Sequence, residues 1–222
     1  MQQTPAHEGY NPDLLAQMPR QLRRVVEVGS SSGAFAKQYK RVCPTCHYTG
    51  IEIDPSYAEL SKRHCDEVIC ADIESVEQSV FESLFPSDCW IFGDSLEHLK
   101  DPWSLLKKVR RYLASDGSIV ACVPNAQHWS VQARLSCGML KYEDAGLLDR
   151  THLRWFTRIT IIDLFESTGF KIVKAASRIF KEPERDKVSD AIRLMARSIG
   201  ADPEQAVVDA TALQYVVRAV PT

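Results

Sequence analysis

The run "VVEVGSSSGAF" (Val25 to Phe35) carries three valines, broken by Glu27, into Gly29, Ser30, Ser31 and Gly33. Gly29 and Gly33 open backbone conformations that a side chain would forbid and let a ligand approach the main chain closely. The spacing is G-x-x-x-G, not the G-x-G-x-x-G of a dinucleotide site, which disfavours a nicotinamide-dependent oxidoreductase. An acid just before the loop is awkward beside a polyphosphate and suits the cationic amino-acid end of a zwitterionic ligand. In "GIEIDP" an acid, Glu52, stands about 20 residues beyond the loop, where a carboxylate can hydrogen-bond ribose hydroxyls. Asp54 competes for that role, although its place before Pro55 reads better as a helix cap. Asp72, in "VICADI", follows a third apolar run within reach of an adenine. A ligand with a ribose, an adenine and an ammonium group, such as S-adenosylmethionine (SAM), fits all of these.

The other reactive residues lie further along. His98, His128, His152, Asp94 and Asp149 are candidate bases, and a positioned base contributes ~10²–10⁴-fold to a proton transfer. His98 sits within "LEHL" and reads as structural or cofactor-facing, whereas His128 follows "VPNAQ" and is placed to face a second substrate. "LLDRTHLRWFT" (Leu147 to Thr157) concentrates Asp149, Arg150, His152, Arg154 and Trp155, either as a lid or as a helix entrance capped by Thr157. "CPTCH" (Cys43 to His47) lacks a matching second ligand pair and precedes a strand, so it reads as loop cysteines, and no metal site is expected.

These residues need a frame. Strand-like and helix-like segments alternate along the chain: strands at Arg24–Val28, Tyr48–Ile53, Glu67–Cys70, Cys89–Gly93, Ser118–Val123, Phe170–Ala175 and Ala212–Val220, with helices between most of them. That alternation implies an α/β domain around a largely parallel sheet, with room for an antiparallel partner near the end. Asn11 and Pro12 open an early helix, and the span 125–152 is too long for an ordinary connection. With 222 residues, 45% hydrophobic and 25% charged, the chain suits one globular domain. A net charge of -2 recommends neither nucleic acid nor an anionic membrane. The N-terminus has no leader-like pattern, no run is long enough to span a membrane, and an odd seven cysteines suit reduced thiols, so a cytoplasmic protein is expected.

The order "VVEVGSSSG", "GIEIDP", "CADI", "DSLEHLKDPWSLLKKVRRYLASDG" and "VPN" resembles the class I SAM-dependent methyltransferases. "SLEHLKDP" (Ser95 to Pro102) is similar to the ubiquinone-biosynthesis-like branch, while "LLDRTHLRWFT" and "YNPDLLAQMP" resemble segments of bacterial methyltransferases of surface polysaccharide and glycan metabolism. The chain departs from the pattern at Ser31, where a middle glycine is usual, and at "SDG", where proline-glycine-glycine is usual. The resemblance implies a Rossmann-like class I methyltransferase fold, a mostly parallel seven-stranded sheet with helices on both faces. It divides the chain into an N-terminal tail and helix (1–20) and one SAM-binding domain (21–222), with 125–157 as an acceptor-side cover. Glu27, Gly29, Ser30, Ser31 and Gly33 would hold the methionine end of SAM. Glu52 would take the ribose, Ile53 would pack on the adenine, and Asp72 with the Ile73 backbone would read its amino group. Asp94 and Ser95 would line the meeting place of donor and acceptor, and His128, His152 and Asp94 are the candidate catalytic groups. The implied function is methyl transfer to a hydroxyl of a small molecule or glycan; the alternative is a SAM- or partner-binding protein that kept the fold without transfer.

Overall fold

The computed structural model describes residues 8–222; the start of the expected N-terminal tail, 1–7, lies outside them. In chain order the elements are α1 (Pro12–Gln17), β1 (Arg24–Val28), α2 (Ala34–Val42), β2 (His47–Glu52), α3 (Pro55–Ser61), β3 (Glu67–Cys70), α4 (Gln78–Ser83) and β4 (Cys89–Gly93). A 3₁₀ turn (Leu96–His98) leads to α5 (Pro102–Tyr112) and β5 (Ser118–Pro124). The chain ends with α6 (Trp129–Ser136), α7 (Arg158–Ser167), β6 (Phe170–Arg178), α8 (Arg185–Ser198), α9 (Pro203–Thr211) and β7 (Gln214–Pro221).

The seven strands form one sheet in the order β3-β2-β1-β4-β5-β7-β6. All pairs are parallel except those of β7, which runs antiparallel to β5 and β6. The fold class read from the sequence is the one observed. Because helices cover both faces, the central strands read as apolar runs and not as alternations; every residue of β5 is buried.

Alternation along each strand still sorts side chains between two cores. Val26, Val28, Trp90, Phe92, Ile119 and Ala121 face α5 and α7 through Leu106, Val109, Leu164 and Phe165. Val25, Ile91, Val120 and Cys122 face the other way, toward Leu14 of α1 and Phe35, Ala36 and Tyr39 of α2. Cys43 and Cys46 belong to this second core and all seven cysteines are free thiols. Burial pushes the Cys46 thiol up to about 12, which suits packing better than redox work.

Local signals account for several boundaries. The Asn11 side chain accepts from the Asp13 and Leu14 N–H groups, with Pro12 in the first turn, and Thr157 and Thr160 form a reciprocal cap on α7. The sequence reading passed over α9, which Asp202 caps and Pro203 opens. No helix among the described residues is long and apolar enough to cross a membrane.

Leu14 is 2% exposed, and its side chain lies 3.0 Å from where a Cβ on Gly93 would stand. Leu14→Ala should therefore lower the unfolding free energy by about 2–5 kcal/mol in denaturant titration. A change below ~0.5 kcal/mol would mean that α1 lies outside the cooperative core.

Candidate functional site

In an open parallel sheet, ligands bind beyond the strand carboxyl ends where the strand order reverses. Here that place lies between β1 and β4. The chain leaves β1 through Gly29 (φ 78°), Ser31 (φ 47°) and Gly33 (φ 74°), all left-handed. A left-handed conformation costs Ser31 roughly 1–2 kcal/mol that glycine would avoid. The Gly29 and Ser30 N–H groups donate to Ile51 O at 2.8 and 3.2 Å. A Cβ on Gly29 would come within 3.3 Å of Ser95 Cβ, so loop and β4 end are in close contact.

Glu52 is 4% exposed. Its Oε2 accepts from the Ser31 N–H at 2.8 Å and its Oε1 from the Asp54 N–H at 3.0 Å, so the carboxylate holds the strained loop residue in place. Ile53, next along, leaves its apolar side chain 52% exposed. Asp54 caps α3, accepting from the Ser56 and Tyr57 N–H groups. Asp72 turns its own loop by accepting from the Glu74 N–H at 2.9 Å, and Ile73 is buried in the first core.

Glu27 is buried beneath the loop and accepts from the Tyr48 hydroxyl at 2.9 Å. Burial pushes its carboxyl up to about 8; the Tyr48 hydrogen bond opposes that and the Glu52 charge adds to it. Ser30 Oγ and Ser95 Oγ are both buried without a hydrogen-bond partner.

At the end of β4, Asp94 (φ 61°) accepts from the Gln214 side-chain amide. Glu97 follows in the 3₁₀ turn and is 1% exposed. Its carbonyl accepts from the N–H groups of Leu153 and Arg154 at 2.8 and 2.9 Å, which fastens the "THLRW" segment onto the turn. His98 and His152 then meet with ring centroids 4.8 Å apart, and His152 Nε2 lies 3.9 Å from Glu97 Oε1. Burial lowers the pKa of both imidazoles, so they are neutral near pH 7. Burial also raises the Glu97 carboxyl well above the usual range, with the Asp94 charge adding to it. Sequence reading overlooked Glu97 as a site residue; the available signal was an acid adjoining a histidine just beyond β4.

His128 lies elsewhere. It is 1% exposed and forms the cap of α6, with Nδ1 2.8 Å from Ser130 Oγ and Nε2 3.1 Å from Glu182 Oε2. The Trp129 indole donates to the same Glu182 oxygen at 2.7 Å. Of the aromatic residues on the expected cover, Tyr142 is 66% and Trp155 40% exposed. Arg150 pairs with Asp144 at 2.6 Å, and Arg154 donates to Lys100 O. A cavity of about 400 Å³ is lined by Ile179, Arg185, Arg193 and Thr211 among others, and by none of the site residues above.

Glu27 binds its proton more tightly folded than unfolded, so its contribution to stability is complete below about 4.5 and is lost as pH rises through about 8. Glu27→Gln should flatten the fall of Tm across that interval; an unchanged profile would mean that the carboxyl ionises freely in the fold. His128→Ala and Glu182→Ala should each cost about 1–3 kcal/mol and combine non-additively in denaturant titration. Additive losses would show the two side chains to be uncoupled.

Residues 7–175, more than half of the chain, match a family model described as a methyltransferase domain. A stretch of 168 residues is 24% identical to the uncharacterized protein MJ1123 of Methanocaldococcus jannaschii, covering 74% of this chain and 73% of that protein. A chain from the complex between the Haloferax volcanii Trm112 methyltransferase activator and a methyltransferase superposes with a TM-score of 0.62 at 14% identity, over 95% of this chain and 88% of that one. A SAM-dependent methyltransferase from Thermotoga maritima gives a TM-score of 0.62 at 16% identity, over 95% and 86% of the two chains. At these identities the structural likeness is one of fold; the family match covers most of the sheet and the candidate site. This chain belongs to the methyltransferase domain family.

Proposed function

We propose that the protein is a SAM-dependent methyltransferase of the ubiquinone-biosynthesis-like branch, transferring a methyl group to a hydroxyl of a small molecule or glycan. The observation that carries the reading is the buried Glu52 carboxylate gripping the Ser31 N–H at the glycine loop. Each Glu52 oxygen accepts one backbone N–H and retains a lone pair for a ribose hydroxyl. The exposed Ile53 side chain offers an apolar surface to the adenine, and Asp72 with the Ile73 backbone reads the adenine amino group. Ser95 Oγ is a buried polar atom without a hydrogen-bond partner. The buried Glu27 carboxyl, held mostly protonated near pH 7, would be drawn toward its charged form by a cationic ammonium above the loop.

When bound, SAM supplies a methyl group on a positively charged sulfur. Gly29 to Gly33 and Ser95 orient it, and the segment 125–157 brings the acceptor hydroxyl into line. Transfer would form the O–C bond as the S–C bond breaks, leaving the bonding pair on sulfur, and the Asp94 carboxylate would take the hydroxyl proton. Alignment of this kind contributes about 7–11 kcal/mol at best. His152 faces the acceptor from the fastened segment, and His128 acts through the position of α6. The hydroxyl and glycan readings rest on the resemblance of "LLDRTHLRWFT" and "YNPDLLAQMP". One observation favours a second reading, a protein that acts with or through a partner: the Haloferax volcanii match comes from a complex with an activator.

The test is calorimetric titration of SAM and S-adenosylhomocysteine into wild type and Glu52→Gln, with folding checked by circular dichroism. Micromolar affinity in wild type and at least tenfold loss in the variant are expected. No binding in the wild type would sink the methyltransferase reading, and SAM binding without transfer to any acceptor in a labelled-methyl screen would favour the second reading.

A further inference from the structure

Glu97 holds a carboxylate that its surroundings leave unsatisfied. The residue is 1% exposed and its Oε2 has no hydrogen-bond partner. An unpaired buried charge costs several kcal/mol, so this oxygen requires a proton or a cation. Two imidazoles stand beside it, yet their outer contacts prevent them from serving as donors.

His152 Nδ1 lies 3.2 Å from Leu147 O, which can only accept; the hydrogen is therefore assigned to Nδ1 and Nε2 keeps a bare lone pair. His98 Nδ1 lies 3.2 Å from Thr151 O and 3.0 Å from Thr151 Oγ1, whose own hydrogen goes to Asp149 Oδ1 at 2.6 Å. His98 Nδ1 is thus also the N–H, and its Nε2 is bare. A ligating histidine characteristically gives its outer N–H to a backbone carbonyl, often with a carboxylate behind it. Both rings have that carbonyl here, and Asp149 stands behind His98.

One atom each from Glu97, His98 and His152 lie within 4.8 Å of one another. Donors about 2.1 Å from a tetrahedrally held ion stand roughly 3.4 Å apart, so binding needs the widest pair to close by up to roughly 1.4 Å, which rotation of the side chains about their χ angles can supply. Two imidazole nitrogens and one carboxylate oxygen, with the remaining positions open, form the donor set of a catalytic rather than a closed structural site.

We infer that Glu97, His98 and His152 bind a divalent first-row transition-metal cation, in place of the metal-free site expected from sequence. The binding claim stands on these three side chains; the role of the ion rests on the methyltransferase reading. In that role the ion draws on the acceptor hydroxyl oxygen, which eases loss of its proton to Asp94 while the O–C bond forms.

The experiment is titration of chelator-stripped protein with Zn²⁺, Co²⁺ and Mn²⁺, with Mg²⁺ as the hard-ion control, and SAM titration on the same samples. Wild type should bind one transition-metal ion per chain and show Co²⁺ absorption bands in the visible. Glu97→Gln, which resembles the neutral acid and should fold, and His152→Ala should weaken binding at least a hundredfold while SAM affinity stays within about twofold. His98→Gln, with the same expected loss, replaces either variant that fails to fold by circular dichroism. No metal bound by wild type, or equal affinity in the folded variants, would overturn the site and leave the SAM result to be judged alone. Metal binding without SAM binding would uphold the site and overturn the methyltransferase reading.

Discussion

The pairing of β1 with β2 on one side and β4 on the other is the constraint on which everything else hangs. Both pairs are parallel, and Val28 lies opposite Ile51 and Phe92. The three strands therefore end level, and the loops after them emerge at one edge. From this follow the contact of Gly29 with Ser95 and the reach of Glu52 to Ser31. A slip of one residue in β1 would turn Glu27 into the larger apolar core and its valine neighbours out of it, so the register is strongly specified.

The same edge gathers acidic groups, of which Glu27, Glu52, Glu97 and Asp149 are buried and Asp94 is exposed. Glu27 and Glu52 interact beneath the glycine loop, and Glu97, Asp94 and Asp149 interact around the 3₁₀ turn. At low effective dielectric such neighbours repel more strongly than in water. Backbone N–H groups relieve Glu52 and the Thr151 N–H and hydroxyl relieve Asp149, whereas Tyr48 relieves Glu27 only in part. The edge is thus biased toward ligands that carry positive charge, a bias that a survey of net charge alone would miss.

Much of this was legible in the chain because the determining signals were local. Proline after an acid marked Asp54 as a cap, Thr157 announced α7, and two glycines after an apolar run marked the loop. What escaped notice depended on partners far along the sequence. His128 looked like a residue facing the acceptor because it follows β5, but its Nε2 meets Glu182, 54 residues away. Glu97 looked like part of a turn, and only the return of Thr151 to His98, 53 residues on, gives its carboxylate a setting. The cysteines of "CPTCH" invited thoughts of a metal, whereas their burial between α2 and β2 makes them core.

The segment between β5 and α7 is clamped at both ends. Asn125 donates to Asp209 O and Ala212 O, and Ala126 N–H donates to Phe156 O, while Glu97 O holds Leu153 and Arg154. Between these clamps, residues 137–146 lie wholly on the surface. Glu143 ties the arc back to Leu148 and Arg150 through two backbone hydrogen bonds, so the exposed stretch reaches the histidine pair through its backbone and not through buried side chains.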